Sequence, residues 1–444
     1  MSIKAQYPDM RPTLFLDFTS GKRDIRLETG RPSLATYCGK DGYMKIANWG
    51  EPRIDYDPFT GKCLGLLMEP STINLAGNHR AWGNGNYQQT AVSGYTKRGP
   101  DGQANTAKEY VMNTVGSTGG STGIYTANYG ITATNPISVS AFVKVTRSDE
   151  ISFQWMDNNN AKRSDEITVY KDARTPVNKQ SNGGSDAGNI GTTRFQQYKD
   201  GWVRLTWENV TGSANATSYV QLYSNDHTAV NGSADNVGYA IWGIQIEAGW
   251  PFCTSPVLRG EDMFGPDHSN NWGYWTTRTA ERTLSIIDPP FSFPATVIAG
   301  YNWLDLTYAR RPFSMDPGAG SDAIRPLTYD NGNLNFFTSY GSVSSGTGVL
   351  TKNTDHEFGW MAGLDGYETE NGITYDAYRL TVDGAVTTTA GNSNTEAEVV
   401  QMKLGYSKQG DAPRDFAGHI KYFHVYNNGM TDNHMRALTG AGSL

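Results

Sequence analysis

The sequence predicts an all-β protein: an extended N-terminal segment followed by two β-sandwich domains. Three observations carry that reading. Charged residues make up only 18% of the 444, against 50 glycines, 11 tryptophans and 25 tyrosines, a composition that suits turn-rich sheet better than helix. Apolar residues recur in short alternating runs of strand length, bounded by clusters of Gly, Asn, Asp and Ser. Those runs gather in two blocks of nearly equal size, separated by a stretch that loses the rhythm.

Residues 1–75 are turn-rich, with isolated apolar clusters such as Leu14-Phe15-Leu16. Their last part, "RIDYDPFTGKCLGLLMEPSTINL" (53–75), runs from a polar half into the apolar Leu64–Met68, closed by Glu69-Pro70. Its alternation is too weak for a single strand, and Asp57-Pro58-Phe59-Thr60-Gly61 predicts a tight turn. Such a segment has no core of its own, so an extended docking module laid over its own chain or a neighbouring subunit is expected.

Residues 76–257 predict the first sandwich, on "ISVSAFVKV", "EISFQWMD", "GWVRLTWENV", "SYVQLYSND" and "GYAIWGIQIEAG". Residues 258–280 are a connector rich in Trp272, Tyr274 and Trp275. Residues 281–444 predict the second sandwich, on "ERTLSII", "ATVIAGYNWL", "NLNFFTSYG", "HEFGWMAG", "DAYRLTVDGAVTTT", "VVQMKLGYS" and "GHIKYFHVYN". One short helix closes it in "TDNHMRALTG", with Thr431 or Asp432 as N-cap and Gly440 as its stop. The Asn/Gly-rich stretches 178–193 and 315–323 are expected at sandwich ends.

A net charge of −7 leaves no basic footprint for nucleic acid or anionic lipid. The longest apolar stretches are a few residues, too short for a transmembrane helix. The start, "MSIKAQYPDMRPTLFLDF", lacks the plan of a signal peptide, so folding in a cytoplasm is expected. Cys38, Cys63 and Cys253 lack metal-ligand spacing and read as buried small hydrophobes.

Motifs for chemistry are missing from the sequence. It has no G-x-S-x-G, no P-loop and no dinucleotide fingerprint. The seven histidines never form H-E-x-x-H, and His419 and His424, five apart, fall on opposite faces of an ideal strand. A sandwich glycosidase needs two carboxylates facing one sugar. The nearest approach is Asp365, Glu368 and Glu370 in a Gly-bounded loop, while Glu208 and Glu247 stand alone. No catalytic residue, metal ligand or cofactor is therefore assigned. Oxygen-rich loops at 224–236 and 329–333 leave calcium open, although Asp-Asn-Gly is above all a hairpin turn. Strand aromatics (Trp202, Trp207, Tyr219, Tyr223, Tyr239, Trp242) are expected in the core. Trp82, Tyr87 and Tyr125, set among Asn and Gly, are the candidates for a carbohydrate-stacking platform.

Residues 31–75 resemble the N-terminal module of tailed-bacteriophage virion proteins of the head spike or head fibre family, a module also found on tail fibres. The elements R-x-S-x-A-T-Y, D-G-x-x-x-x-A, R-x-D-Y-D-P-x-T-G and G-L-L-x-E-x-x-x-T-N-L are matched by Arg31, Ser33, Ala35-Thr36-Tyr37, Asp41-Gly42, Ala47, Arg53, Asp55-Tyr56-Asp57-Pro58, Thr60-Gly61, Gly65-Leu66-Leu67, Glu69 and Asn74-Leu75. Pro32 and Ile73 depart from it, where the family usually has Ala and Thr. "DGWVRLTWENVTG", "GYAIWGIQIEAGWPFCTSPV" and "TTRTAERTLSI" are similar to the lectin-like sandwich and connector that follow this module. The last block is similar to a concanavalin or laminin-G sandwich.

The resemblance implies a non-enzymatic structural protein on the virion surface, with other virion proteins of capsid or tail as partners. It implies a structural docking motif at Arg53, Asp55, Tyr56, Asp57, Pro58, Gly61, Gly65, Leu66, Leu67, Glu69 and Asn74. A homo-oligomer, a trimer by analogy with phage fibres, and contact with host-surface glycans are further expectations, without nucleic-acid or membrane partners. The alternatives are a tail-borne adhesin for host polysaccharide and, third, a polysaccharide depolymerase.

Overall fold

The computed structural model describes residues 11–22, 27, 30–75, 89–112, 122–125, 137–147, 149–156, 165–179, 192–210, 221–225, 238–257, 276–278, 284–287, 295–306, 310–316, 324–338, 342–362, 377–390, 399, 401–405, 415–430 and 432–440. The protein is all-β, built as two sandwiches. In the first, a six-stranded antiparallel sheet runs Thr192–Gln197, Val203–Val210, Ile137–Val145, Gly238–Ala248, Ala107–Met112, Gln89–Lys97. It faces a five-stranded sheet whose inner strands are Glu166–Tyr170, Glu150–Met156 and Gln221–Asn225. Alternation sets the faces: Val203, Leu205 and Trp207 point into the core with Phe153 and Ile167, while Arg204, Thr206 and Glu208 point out.

The second sandwich pairs a six-stranded sheet with an eight-stranded one. The larger sheet runs Ala385–Ala390, Ala377–Val382, Asp355–Ala362, Ala295–Trp303, Gly418–Tyr426, and it does not stop there. Cys63–Met68 pairs with Gly418–Tyr426, and Ile54–Tyr56 continues the order as the outermost strand. Leu14–Asp17 pairs with the other half of Gly418–Tyr426. The N-terminal segment thus supplies three strands to a sheet whose other strands lie about 230 or more residues further along the chain. Leu14, Leu16, Leu66 and Met68 enter the same core as Trp303, Phe358, Trp360 and Phe423. Burying these leucines and the methionine is worth roughly 2 kcal/mol each, which is why a segment with no core of its own adopts a fixed place.

The closing helix spans Asp432–Thr439, and Met435 and Leu438 cover Ile298, Met361 and Tyr426 on the outer face of the eight-stranded sheet. Differences from the sequence reading are local. The strands Val177–Lys179 and Thr192–Gln197 each run two residues into the ends of the 178–193 stretch, and Phe313–Asp316 extends a strand into the other. The two histidines of Gly418–Tyr426 share the outer face, because a register shift opposite Gly300 and Tyr301 puts both Ile420 and Phe423 on the core side. Trp202, Trp207, Tyr239 and Trp242 are buried as expected; Tyr219 lies outside the described residues, as do Trp272, Tyr274 and Trp275 of the connector.

Candidate functional site

The motif residues around 53–74 converge where the two sandwiches meet. Asp57 makes the turn: its Oδ1 accepts the backbone N–H groups of Phe59 (3.1 Å) and Thr60 (2.6 Å) and the Thr60 hydroxyl (2.7 Å). Gly61 adopts φ +69° and donates its N–H to the Asp57 carbonyl, closing the hairpin. Pro58 is buried beneath it, while Phe59 projects into solvent, 70% exposed. Gly65 sits at φ +110° against Gly418–Tyr426, where any Cβ would run into the Ile420 carbonyl oxygen.

Past the turn, the chain builds an ionic knot with almost no exposure. Glu69 Oε2 accepts Arg53 Nη1 (2.6 Å), Arg278 Nη1 (2.8 Å) and the Ser255 hydroxyl (2.7 Å), and Oε1 accepts the Ser255 backbone N–H (2.6 Å). Burial pulls the Glu69 carboxyl upward in pKa, but the Arg278 and Arg53 guanidiniums with Ser255 outweigh it and hold it well below the usual carboxylate range. Arg53 also donates to Thr36 O (2.9 Å), and Arg278 Nη2 to Pro70 O (3.0 Å). One carboxylate therefore ties the N-terminal segment, the last turn of the first sandwich and the connector strand Thr276–Arg278.

Asn74 stitches the segment to the first sandwich, donating to Ile244 O (3.0 Å) and accepting from Ile246 N (3.1 Å). Thr72 donates its hydroxyl to Glu247 Oε1 (2.7 Å). Across the junction the Arg310 guanidinium lies over the Trp250 ring (5.1 Å), while Trp250 Nε1 donates to Ser71 O (3.0 Å).

Beside this knot opens a cleft of about 490 Å³, walled by the outer faces of the two large sheets. One wall carries Arg194 and Glu208, whose Nε and Oε2 are 3.2 Å apart. Burial raises the Glu208 pKa, and Arg194 opposes the rise. The other wall carries Asp355, which accepts the Asn302 side-chain amide (2.8 Å) and the Lys421 ammonium. The Lys421 ammonium and Asn302 amide outweigh the upward pull of burial and lower the Asp355 pKa. Asp55 fixes the floor, accepting the Cys38 N–H (2.7 Å) and standing 2.9 Å from His419 Nε2. Tyr37, Tyr56 and Leu67 complete it. Glu208 thus has a counter-ion, which its isolated place in the sequence did not reveal.

Of the residues expected to form a stacking platform, Trp82 and Tyr87 lie outside the described residues; Tyr125 ends the strand Thr122–Tyr125. The carboxylates Asp365, Glu368 and Glu370 also lie outside them. Loop 329–333 is a turn: Asn331 Oδ1 accepts the Asn333 N–H (3.1 Å), and Asn333 Oδ1 accepts the Ser344 hydroxyl (2.8 Å). Loop 224–236 is described only at Ser224 and Asn225, which end a strand. Among the described residues no group of three His, Cys, Asp or Glu side chains could hold a metal ion, and no helix is long and apolar enough to cross a membrane. The three cysteines are free; burial raises the pKa of each thiol.

A Thr–His–Asp alignment does occur, with His356 Nδ1 2.7 Å from Asp383 Oδ2 and Nε2 3.1 Å from Thr351 Oγ1. With Nδ1–H given to Asp383, Nε2 holds a single lone pair. The Thr351 backbone N–H already donates into it at 2.9 Å. It is a turn anchor without a free base.

No family model matches the chain, and no curated protein matches it in sequence. Among solved structures, the chain is similar to the CBM40 module of the Ruminococcus gnavus IT-sialidase bound to alpha2,3 sialyllactose, at 15% identity and TM-score 0.27, over 33% of this chain and 82% of that one. It is also similar to domain 4 of a GH43 extracellular arabinanase from Geobacillus stearothermophilus in complex with arabinotriose (13%, TM-score 0.27, 35% and 71%). A third is the binding domain of botulinum neurotoxin serotype D (11%, TM-score 0.25, 32% and 36%).

Proposed function

We propose that this chain is a non-enzymatic structural protein of a tailed-phage particle, a surface decoration or fibre protein of the head that also contacts host glycans. The observation that carries the reading is the knot at Glu69: the residues resembling the phage module, Arg53, Glu69 and Asn74, are spent on joining the two sandwiches. Catalytic carboxylates need water or substrate beside them, whereas the Glu69 side chain is 2% exposed with both oxygens filled. A projecting spike needs a stiff junction, and this one is cross-linked by ions, strand pairing and a ring contact.

Antibody raised to residues 281–444 and imaged on intact virions by electron microscopy tests the placement. Label over capsid faces or vertices is the expected result; unlabelled particles would remove the virion reading. A tail-borne adhesin for host polysaccharide is the second reading, and the junction cleft is the feature that favours it; it expects label confined to the tail. Incubation with host capsule, read by reducing ends, is expected to release none; released ends would make the chain a depolymerase.

A further inference from the structure

We propose that the cleft between the outer sheet faces binds a short, uncharged oligosaccharide. The inference rests on the glycan-binding part of the reading above and names its site and ligand class. At about 490 Å³ the cleft falls within the roughly 300–1,000 Å³ typical of small-molecule sites. Its walls offer paired planar groups at hydrogen-bond spacing: the Arg194 guanidinium with the Glu208 carboxylate on one side, the Asp355 carboxylate with the Asn302 amide on the other. Such pairs present a donor and an acceptor side by side, the pattern that vicinal hydroxyls of a pyranose ring need.

Charge argues for an uncharged sugar. Five carboxylates, Asp55, Asp57, Glu69, Glu208 and Asp355, line the cleft against the cations Arg194, Arg204 and Lys421, so its net acidic lining disfavours a carboxylated or sulfated ring. Tyr37 and Tyr56, both half-buried, supply ring surface for the apolar C–H faces of a sugar. The same tyrosines also line an adjoining hollow of about 520 Å³ that holds Lys40, Asp41 and Lys45, so a linear chain has a path onward from the cleft. The cleft is preformed, because Asp55 ties its floor to Cys38 and to His419, and a preformed site saves ordering entropy on binding.

The full-length chain, applied to an array of neutral and anionic oligosaccharides, is expected to retain neutral ones. Arg194→Ala and Asp355→Ala, on opposite walls, are each expected to weaken binding of the retained sugar at least tenfold, while Lys171→Ala, exposed and outside the cleft lining, leaves it unchanged. Hydrogen exchange on the unmodified chain keeps the result independent of variant folding: bound sugar is expected to slow exchange at 194–196 and at 419–421 together. Retention of anionic sugars alone, binding kept in both cleft variants, or no retention at all would each overturn the proposal. Virion labelling is unaffected by any of these results, so failure of the cleft and failure of the particle reading are told apart.

Discussion

Glu69 is the residue on which the junction turns. Removing one partner from a buried ionic cluster costs about 3–5 kcal/mol, because the charges left behind cannot be solvated. Glu69→Ala leaves two buried guanidiniums, Arg53 and Arg278, facing each other, and that much loss is expected in urea unfolding monitored by tryptophan fluorescence. A loss under 1 kcal/mol would show that water replaces the carboxylate. Since the Glu69 pKa is lowered on folding, its contribution is present above pH 4.5 and is lost as pH falls toward the folded value. Glu357 has the opposite sign. Burial, with Asp383 close by, raises its carboxyl to about 7, so its contribution is in place below pH 4.5 and is lost as pH rises through about 7. Burial lowers His424, stacked on Phe15 at 4.3 Å, to about 4, so its contribution holds above pH 6.5 and is lost as pH falls through about 4. Glu357→Gln should flatten the decline in the unfolding midpoint between pH 5 and 8; an unchanged slope would assign that decline elsewhere.

At the scale of elements, the N-terminal hairpin is part of the second sandwich rather than an appendage to it. Leu66 and Met68 line the core, and Gly65 lets the strand lie against Ile420. Gly65→Ala combines a left-handed backbone angle with a backbone clash, each costing about 1–3 kcal/mol; a drop of that order in stability is expected, localised by hydrogen exchange to Cys63–Met68 and Gly418–Tyr426. Exchange unchanged in Gly418–Tyr426 would mean the hairpin is dispensable to the sheet. This also marks the limit of what the sequence disclosed. Strands such as Ile137–Val145 and Gly418–Tyr426 were legible because their own alternation or β-branched and aromatic content specifies them. Cys63–Met68 was not legible as a strand, since its apolar run lacks alternation and its partner Gly418–Tyr426 lies some 350 residues away, and Ile54–Tyr56, three residues long, pairs only with it. The cleft was hidden for the same reason: Arg194, Asp355 and Lys421 meet only once both sheets are assembled.

Over the whole molecule, the two sandwiches are held by contacts of three different kinds, and their redundancy predicts one stiff body. The Glu69 knot is ionic, the pairing of Thr72–Asn74 with Thr276–Arg278 is main-chain, and Arg310 over Trp250 is a cation–π contact. Desolvated cation–π contacts reach about 2 kcal/mol, and Arg310 is fully buried with Asp305 as its carboxylate partner. Trp250→Ala removes the ring and the hydrogen bond to Ser71 while leaving the other two fastenings. Spin labels at exposed Lys171 and Lys352, one on each sandwich, are therefore expected to give a single narrow distance distribution in the unmodified chain. The distribution should widen modestly in Trp250→Ala and strongly in Trp250→Ala combined with Glu69→Ala. A broad distribution in the unmodified chain would contradict the stiff junction and, with it, the suitability of this chain as a projecting spike. A narrow one in the double variant would place the stiffness in the strand pairing alone.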